Sequence, residues 1–258
     1  MSRPFALVSN DDGISSFYLR ALIDELKAHF DIVVAAPLNE QSWIGRAMSR
    51  RKPVQVEKVD SLGVPAWSVD GTPTDCVNIA LDHLLERKPD IVISGMNIGY
   101  NAGVPFILCS GTLGAAIEGA MWGYRALAVS AMVPPVYFQR LHEDNESVPA
   151  ELEPQVRDIA RHAAAFALNV VKEPVERYLV HNLNYPSTID ANTPVVETLP
   201  ASVEPFGLYV KGETDGEFRF RFATGATIAS DETNDRDCVA SGRISHGLLD
   251  FSRIGRKG

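Results

Sequence analysis

The stretch Phe5-Ala6-Leu7-Val8-Ser9-Asn10-Asp11-Asp12-Gly13 decides the fold class. Phe5–Val8 is a continuous apolar run that with Ser9 makes a segment of strand length, and the polar turn that follows ends in glycine. Ser15–Phe30 then carries Leu19, Leu22, Ile23 and Leu26 at helical spacing, and Asp31–Ala36 is a second uninterrupted apolar run. Strands without polar alternation, joined through a helix, belong to a parallel sheet covered on both faces.

The same alternation continues outward. Val54–Glu57, Ala66–Val69, Ile91–Ser94 and Ala126–Ser130 read as strands, and Thr72–Leu85 and Gly111–Gly123 as helices. The polar, proline-punctuated segment 134–154 reads as a surface connection. Pro154–Val171 is a long helix and Tyr178–Asn184 a strand. From Ser187 the pattern shifts to short extended pieces, Pro194–Thr198, Gly207–Lys211 and Glu217–Phe222, consistent with a hairpin-rich extension. Thr233–Ser241 reads as a short helix, Arg243–Ser245 as a final strand, and the basic tail Arg253–Gly258 is expected to fray.

Bulk composition excludes several function classes. With 24 Lys+Arg against 33 Asp+Glu the chain of 258 residues carries −9, so its mean field repels extended nucleic acid and anionic membrane surfaces. An anionic ligand must therefore be held locally, by a metal ion, helix N-termini or a few placed donors. No run approaches the ~18–20 apolar residues of a membrane span. The opening Met1-Ser2-Arg3-Pro4 leads into the first strand without the pattern of a secretory leader. Cys76, Cys109 and Cys238 are odd in number and widely spaced, which points to reduced thiols and a cytoplasmic setting.

In an open parallel sheet ligands gather at the carboxyl ends of the strands. Asp11 and Asp12 stand there, and adjacent carboxylates repel unless a cation or proton is shared. A hard divalent ion, Mg²⁺ or Mn²⁺, suits them if Ser42 and Asn97 add neutral oxygens; the bland alternative is that one aspartate caps the next helix. Ser110-Gly111-Thr112 opens a helix rich in small residues, either as an anion site of free amides or as a plain cap. No Walker ending and no Gly-x-Gly-x-x-Gly turn is present. Thr72 and Asp75, with Pro73 between, read as a helix entry. His83, His142 and His162 have surface or packing roles, and Trp43 and Met96 read as pocket walls.

Five segments taken together resemble the survival protein SurE family: VSNDDG (Val8–Gly13), AP…S..G (Ala36–Gly45), GTPTDCV (Gly71–Val77), SGMNIGYNAG (Ser94–Gly103) and SGTLGAAIEG (Ser110–Gly119). They keep the family's order over roughly residues 5–130, with HNLNYP (His181–Pro186) and TNDRDCVASGRIS (Thr233–Ser245) as weaker continuations. The resemblance implies an α/β, Rossmann-like three-layer core with a mostly parallel sheet over residues 1–190, and a C-terminal extension over 191–258 that packs on it and serves oligomerisation. It implies a metal-dependent phosphomonoesterase that hydrolyses nucleoside 5′- and 3′-monophosphates, assembled as a homodimer or homotetramer. One divalent ion would be held by Asp11, Asp12, Ser42 and Asn97. Asn101, Ser110, Gly111 and Thr112 would hold the phosphate, with Asp11 or Asp12 taking a proton from the attacking water.

Short polyphosphate is an alternative substrate, and a non-catalytic nucleotide or metal sensor an alternative role. An aspartyl-phosphate phosphatase fits less well, because its carboxylates are spaced Asp-x-Asp. The chain departs from the family pattern at Trp43 and Arg46, which predict a bulkier and more basic rim. It departs again at Cys109, in the length of the loop from Asn101 to Ser110, and over Ile244–Leu249.

Overall fold

In the computed structural model, which describes residues 3–254, the first strand lies in the middle of a nine-stranded sheet. In chain order the strands are β1 (Phe5–Ser9), β2 (Asp31–Pro37), β3 (Val56–Val59), β4 (Ala66–Val69), β5 (Ile91–Ile98), β6 (Arg125–Ala131), β7 (Leu179–Tyr185), β8 (Val195–Glu197), β9 (Tyr209–Lys211), β10 (Phe218–Phe220) and β11 (Ile244–Asp250). The spatial order is β3-β4-β2-β1-β5-β6-β7-β11-β8, and β9 and β10 pair separately. Within the nine-stranded sheet the run from β4 to β7 is wholly parallel and the β3–β4 and β7–β11 pairs are antiparallel, as is the separate β9–β10 pair. Every residue of β1 is buried, as an uninterrupted apolar strand requires.

The helices are α1 (Phe17–Leu26), α2 (Pro73–Ile79), α3 (Val104–Cys109), α4 (Gly111–Met121), α5 (Pro135–Glu143), α6 (Glu153–Val170) and α7 (Asp235–Ala240). On one face α1 packs against α6, burying Leu19, Leu22, Ile23 and Leu26 in a core shared with Ala163, Ala167 and Val170. On the other, α2 and α4 cover the sheet through Cys76, Val77, Ala115 and Val92. These are the three layers of an α/β Rossmann-like fold. No helix among the described residues is long and apolar enough to cross a membrane.

Several boundaries move for local reasons. α1 stops at Leu26 because the next amides tighten onto carbonyls three residues back, Ala28 to Glu25 and His29 to Leu26. α2 continues through Ala80–Leu84 as a wide π-type turn. The connection over 134–154 contains α5, whose first turn takes Pro135 where a missing amide hydrogen is harmless. α3 occupies the loop after Asn101. The last strand extends to Asp250, past Gly247, because β7 pairs with it as far as Asp250, while β8 pairs only with Ile244–His246 on its other side. The sheet thus runs on past residue 190, and only the β9–β10 hairpin stands outside it. The basic tail lies outside the described residues from position 255 onward.

The β7–β11 ladder holds a pair of stacked imidazoles. The rings of His181 and His246 are 5.3 Å apart and nearly parallel, with Nδ1 of His181 3.1 Å from Nε2 of His246. Burial pushes both down to about 4, and for His246 the neighbouring ring adds to it. Because the folded state disfavours the charged forms, their stabilising contribution is complete above the unfolded value near 6.5 and is lost as pH falls towards 4. In urea unfolding the contribution of the two rings should decline between about pH 6.5 and 4.5, against the opposite trend of Asp11, whose raised carboxyl gains stability as pH falls through about 6. His246→Ile should make that decline shallower; an unaltered pH dependence would refute the assignment.

Candidate active site

β1 and β5 are neighbours whose following helices leave in opposite directions, so the crevice between their carboxyl ends is the topological switch point of the sheet. Asp11 and Asp12 enter it on the turn after β1. That turn is held by Asn10, whose amide donates to the Gly13 carbonyl at 2.9 Å. Neither aspartate caps α1, whose N-cap is Ser16, so the capping alternative does not hold. Both are almost fully buried, at 3% and 6% exposure. One oxygen of Asp11 accepts from the Thr112 hydroxyl at 2.6 Å, and one of Asp12 accepts from the Ile98 amide at 3.0 Å. Burial raises Asp11 to about 6 against the hydrogen bonds from Thr112. Burial, then the charge of Asp11, raises Asp12 well above the usual carboxylate range, and Glu40 pushes both the same way. Among the described residues no cationic side chain opposes these shifts.

Two further loops converge on the pair. The Gln41 amide donates to the Asp11 carbonyl at 2.7 Å, which brings Ser42 alongside; its exposed hydroxyl donates to Glu40 at 2.5 Å. Asn97 precedes the amide that holds Asp12. Its side-chain nitrogen donates to the Gly99 carbonyl at 2.9 Å, leaving the amide oxygen uncommitted. β5 shifts register against β6 between Ser94 and Asn97, and Gly95 there takes φ +137°, a region open to glycine. Among the described residues no three His, Cys, Asp or Glu side chains cluster closely enough to hold a metal. A cation here therefore meets two carboxylates and neutral oxygens, the donor set of a hard ion.

The phosphate-binding candidates form one connected group. The Asn101 side chain donates to Thr112 at 3.2 Å and to Ser130 at 2.9 Å, and Thr112 in turn donates to Asp11. The Ser110 hydroxyl accepts from the Leu113 amide and its carbonyl from that of Gly114, so Ser110 is a helix cap. The amide of Gly111 remains at the helix start beside Asp11, whereas that of Thr112, like its hydroxyl, is turned to the Asp11 carboxylate. A side chain on Gly111 would lie 2.7 Å from the Asp11 Cβ and 2.9 Å from the Gln41 carbonyl, so only glycine lets α4 come this close.

Ser130, Asn182 and Asn184 were not among the sequence candidates. Asn184 accepts from the Asn101 amide at 2.7 Å, and Asn182 and Asn184 both donate to the Asn101 carbonyl. Two asparagines on one face of a buried strand were the available signal. Asn145, after α5, was missed with its helix; it donates to the Asp12 carbonyl at 2.8 Å and accepts from the Phe17 amide. Beside it a cleft of about 240 Å³ is lined by Asp12, Glu40, His142 and Asp144.

Three other readings are corrected or sharpened. Met96 is fully buried in the core, not a pocket wall. Arg46 is paired with Glu118, so the rim gains no free cation from it. Thr72 and Asp75 form a reciprocal capping box, a structural role.

The family model described as "Survival protein SurE" matches residues 6–202. The chain belongs to the SurE family. Among its relatives is a 5′-nucleotidase SurE of Solidesulfovibrio magneticus, 39% identical over 200 residues, covering 77% of this chain and 69% of that protein. Another, from Methanococcus maripaludis, is 36% identical over 240 residues, covering 91% and 86%. The crystal structure of the SurE protein from Aquifex aeolicus matches with a TM-score of 0.73 at 26% identity, over 96% of this chain and 93% of that one. Family membership thus extends well beyond the five motifs, through β7 and into the extension.

Gly111→Ala tests the close approach of α4. It should lower stability by about 1–3 kcal/mol in urea unfolding and reduce phosphatase turnover together, because the added methyl meets backbone and Asp11 at once. A variant with unchanged stability would show that the contact has room to spare.

Proposed function

We propose that this chain is a metal-dependent phosphomonoesterase of nucleoside 5′- and 3′-monophosphates, using one Mg²⁺ or Mn²⁺ ion. The observation that carries the reading is the pair Asp11 and Asp12, buried side by side at the switch point, with no cationic side chain to offset them and the start of α4 next to them. Asp11, Asp12, Ser42 and Asn97 would hold the ion. When bound it supplies Lewis-acid polarisation of a phosphoryl oxygen and a lowered pKa for water.

The chain's own groups do the rest. Thr112 fixes the orientation of Asp11. Asn101, whose side-chain amide donates to Thr112 and Ser130 in this structure, would turn one of those N–H groups to the phosphoryl oxygens, and the free amide of Gly111 in the Ser110-Gly111-Thr112 turn would meet the charge developing on them. Asp11 or Asp12 accepts the proton of the attacking water; burial lifts both towards neutral pH, where a carboxylate is a better base. The exposed Tyr209 and Phe218 of the β9–β10 hairpin support assembly into a homodimer or homotetramer through the extension over 191–258. Three free cysteines support a cytoplasmic setting.

Asp11→Asn should reduce turnover of nucleoside monophosphates by ~10²-fold or more while the far-ultraviolet dichroism and unfolding midpoint persist. Chelator-treated wild-type protein should release phosphate only when Mg²⁺, Mn²⁺ or a similar ion is restored. Full activity in the variant, or in the chelated protein, would sink the proposal.

A further inference from the structure

Trp43 stands one residue beyond Ser42 with a left-handed backbone, φ +60°, unusual for a bulky side chain and characteristic of residues held in place at functional sites. It remains 36% exposed although three aromatic rings touch it. All three meet it at steep angles: Phe106 at 5.9 Å and 66°, Phe220 at 5.1 Å and 65°, Phe222 at 6.1 Å and 74°. None lies parallel to the indole. Phe106, by contrast, is stacked by Phe206 at 5.7 Å and 11° and carries the Arg236 guanidinium 5.7 Å away. The cluster has satisfied its inner ring and left the outer one without a stacking partner.

Its placement says what that partner is. Trp43 rides on the loop bearing Ser42, and Phe106 belongs to α3, which joins Asn101 to Ser110. The loop that carries the indole runs along the start of α4, with the Gln41 carbonyl against Gly111 on one side of Trp43 and Gly45 against Leu108 and Cys109 on the other. The loop is pinned rather than free, by the Gly45 amide on the Cys109 carbonyl at 2.8 Å and by the Arg46–Glu118 pair. A flat, half-exposed indole beside a phosphate site matches a heterocyclic base attached to that phosphate, and base–indole stacking tolerates any base.

We infer that Trp43 is the stacking surface for the nucleobase of the substrate, so that the enzyme favours base-bearing phosphomonoesters over bare sugar phosphates. This rests on the phosphomonoesterase reading above and adds a specificity-determining residue to it. The edge-on rings of Phe106, Phe220 and Phe222 hold the indole in position.

The test compares adenosine 5′-monophosphate with ribose 5-phosphate on the full chain with Mn²⁺, in wild type, Trp43→Leu and Trp43→Phe. The ratio of kcat/KM values, nucleotide over sugar phosphate, should fall ~10-fold or more in Trp43→Leu, mainly through KM, and recover largely in Trp43→Phe. Both substrates falling together, or an unchanged ratio, would overturn the inference and leave Trp43 as packing. A binding arm separates it from the parent reading. Adenosine alone should quench the intrinsic fluorescence of wild-type protein, and that quench should vanish in Trp43→Phe, where Trp67 and Trp122 remain. If wild type hydrolyses neither substrate, the phosphomonoesterase reading fails, and the adenosine quench then decides the stacking site by itself: its presence upholds the site and its absence overturns it.

Discussion

Two carboxylates on consecutive residues, both buried and neither offset by a cationic side chain, are the constraint around which this molecule is arranged. Removing ionised groups from water is expensive by several kcal/mol each, and mutual repulsion adds to it. The surroundings answer that demand with donors rather than charges. Thr112 and Ile98 each donate to one carboxylate, while Gln41 and Asn145 hold the two carbonyls between which the turn is stretched. Such a site is costly without a cation and comfortable with one. On the function proposed above, an acidic chain would thereby acquire a place for an anion, the charge that repels phosphate elsewhere recruiting its counterion here.

The sheet explains why these groups meet. With β1 and β5 adjacent at the centre and their helices departing to opposite faces, the turn after β1, the end of β5 and the start of α4 open onto one crevice. The later chain braces it. Asn182 and Asn184 reach from β7 to the Asn101 carbonyl, and Asp235 at the start of α7 accepts from the amides of Gly103 and Ala201. The extension is therefore tied to the loop that carries the phosphate-binding candidates, as well as completing the far edge of the sheet through β8 and β11.

Much of this was legible in the residues. Uninterrupted apolar runs identified the parallel strands because burial on both faces leaves no alternation to confuse. Asp11-Asp12 stood out because adjacent carboxylates repel, but a plain helix cap was an equal reading of the residues until the fold put that cap at Ser16. What escaped notice did so where local pattern and tertiary context part. Leu141 is the one buried side chain of α5, too little to give a helical stripe, and with that helix Asn145 was lost. The roles of Ser130, Asn182 and Asn184 depend on strands remote in sequence coming side by side. Met96 appeared in a polar motif yet points into the core, since the irregularity of β5 after Ser94 alters which residues face the crevice.

The repulsion between the aspartates can be measured directly by thermal unfolding of wild type and Asp12→Asn at neutral pH, each with chelator and with saturating Mn²⁺. If the pair exists to hold a cation, Asp12→Asn unfolds at a higher temperature than wild type in chelator, because folding no longer buries a second carboxyl beside Asp11, either charged or protonated against its usual pKa. It then gains little from Mn²⁺, while wild type gains several degrees. A variant less stable than wild type in chelator, or one stabilised by Mn²⁺ as strongly as wild type, would contradict the account.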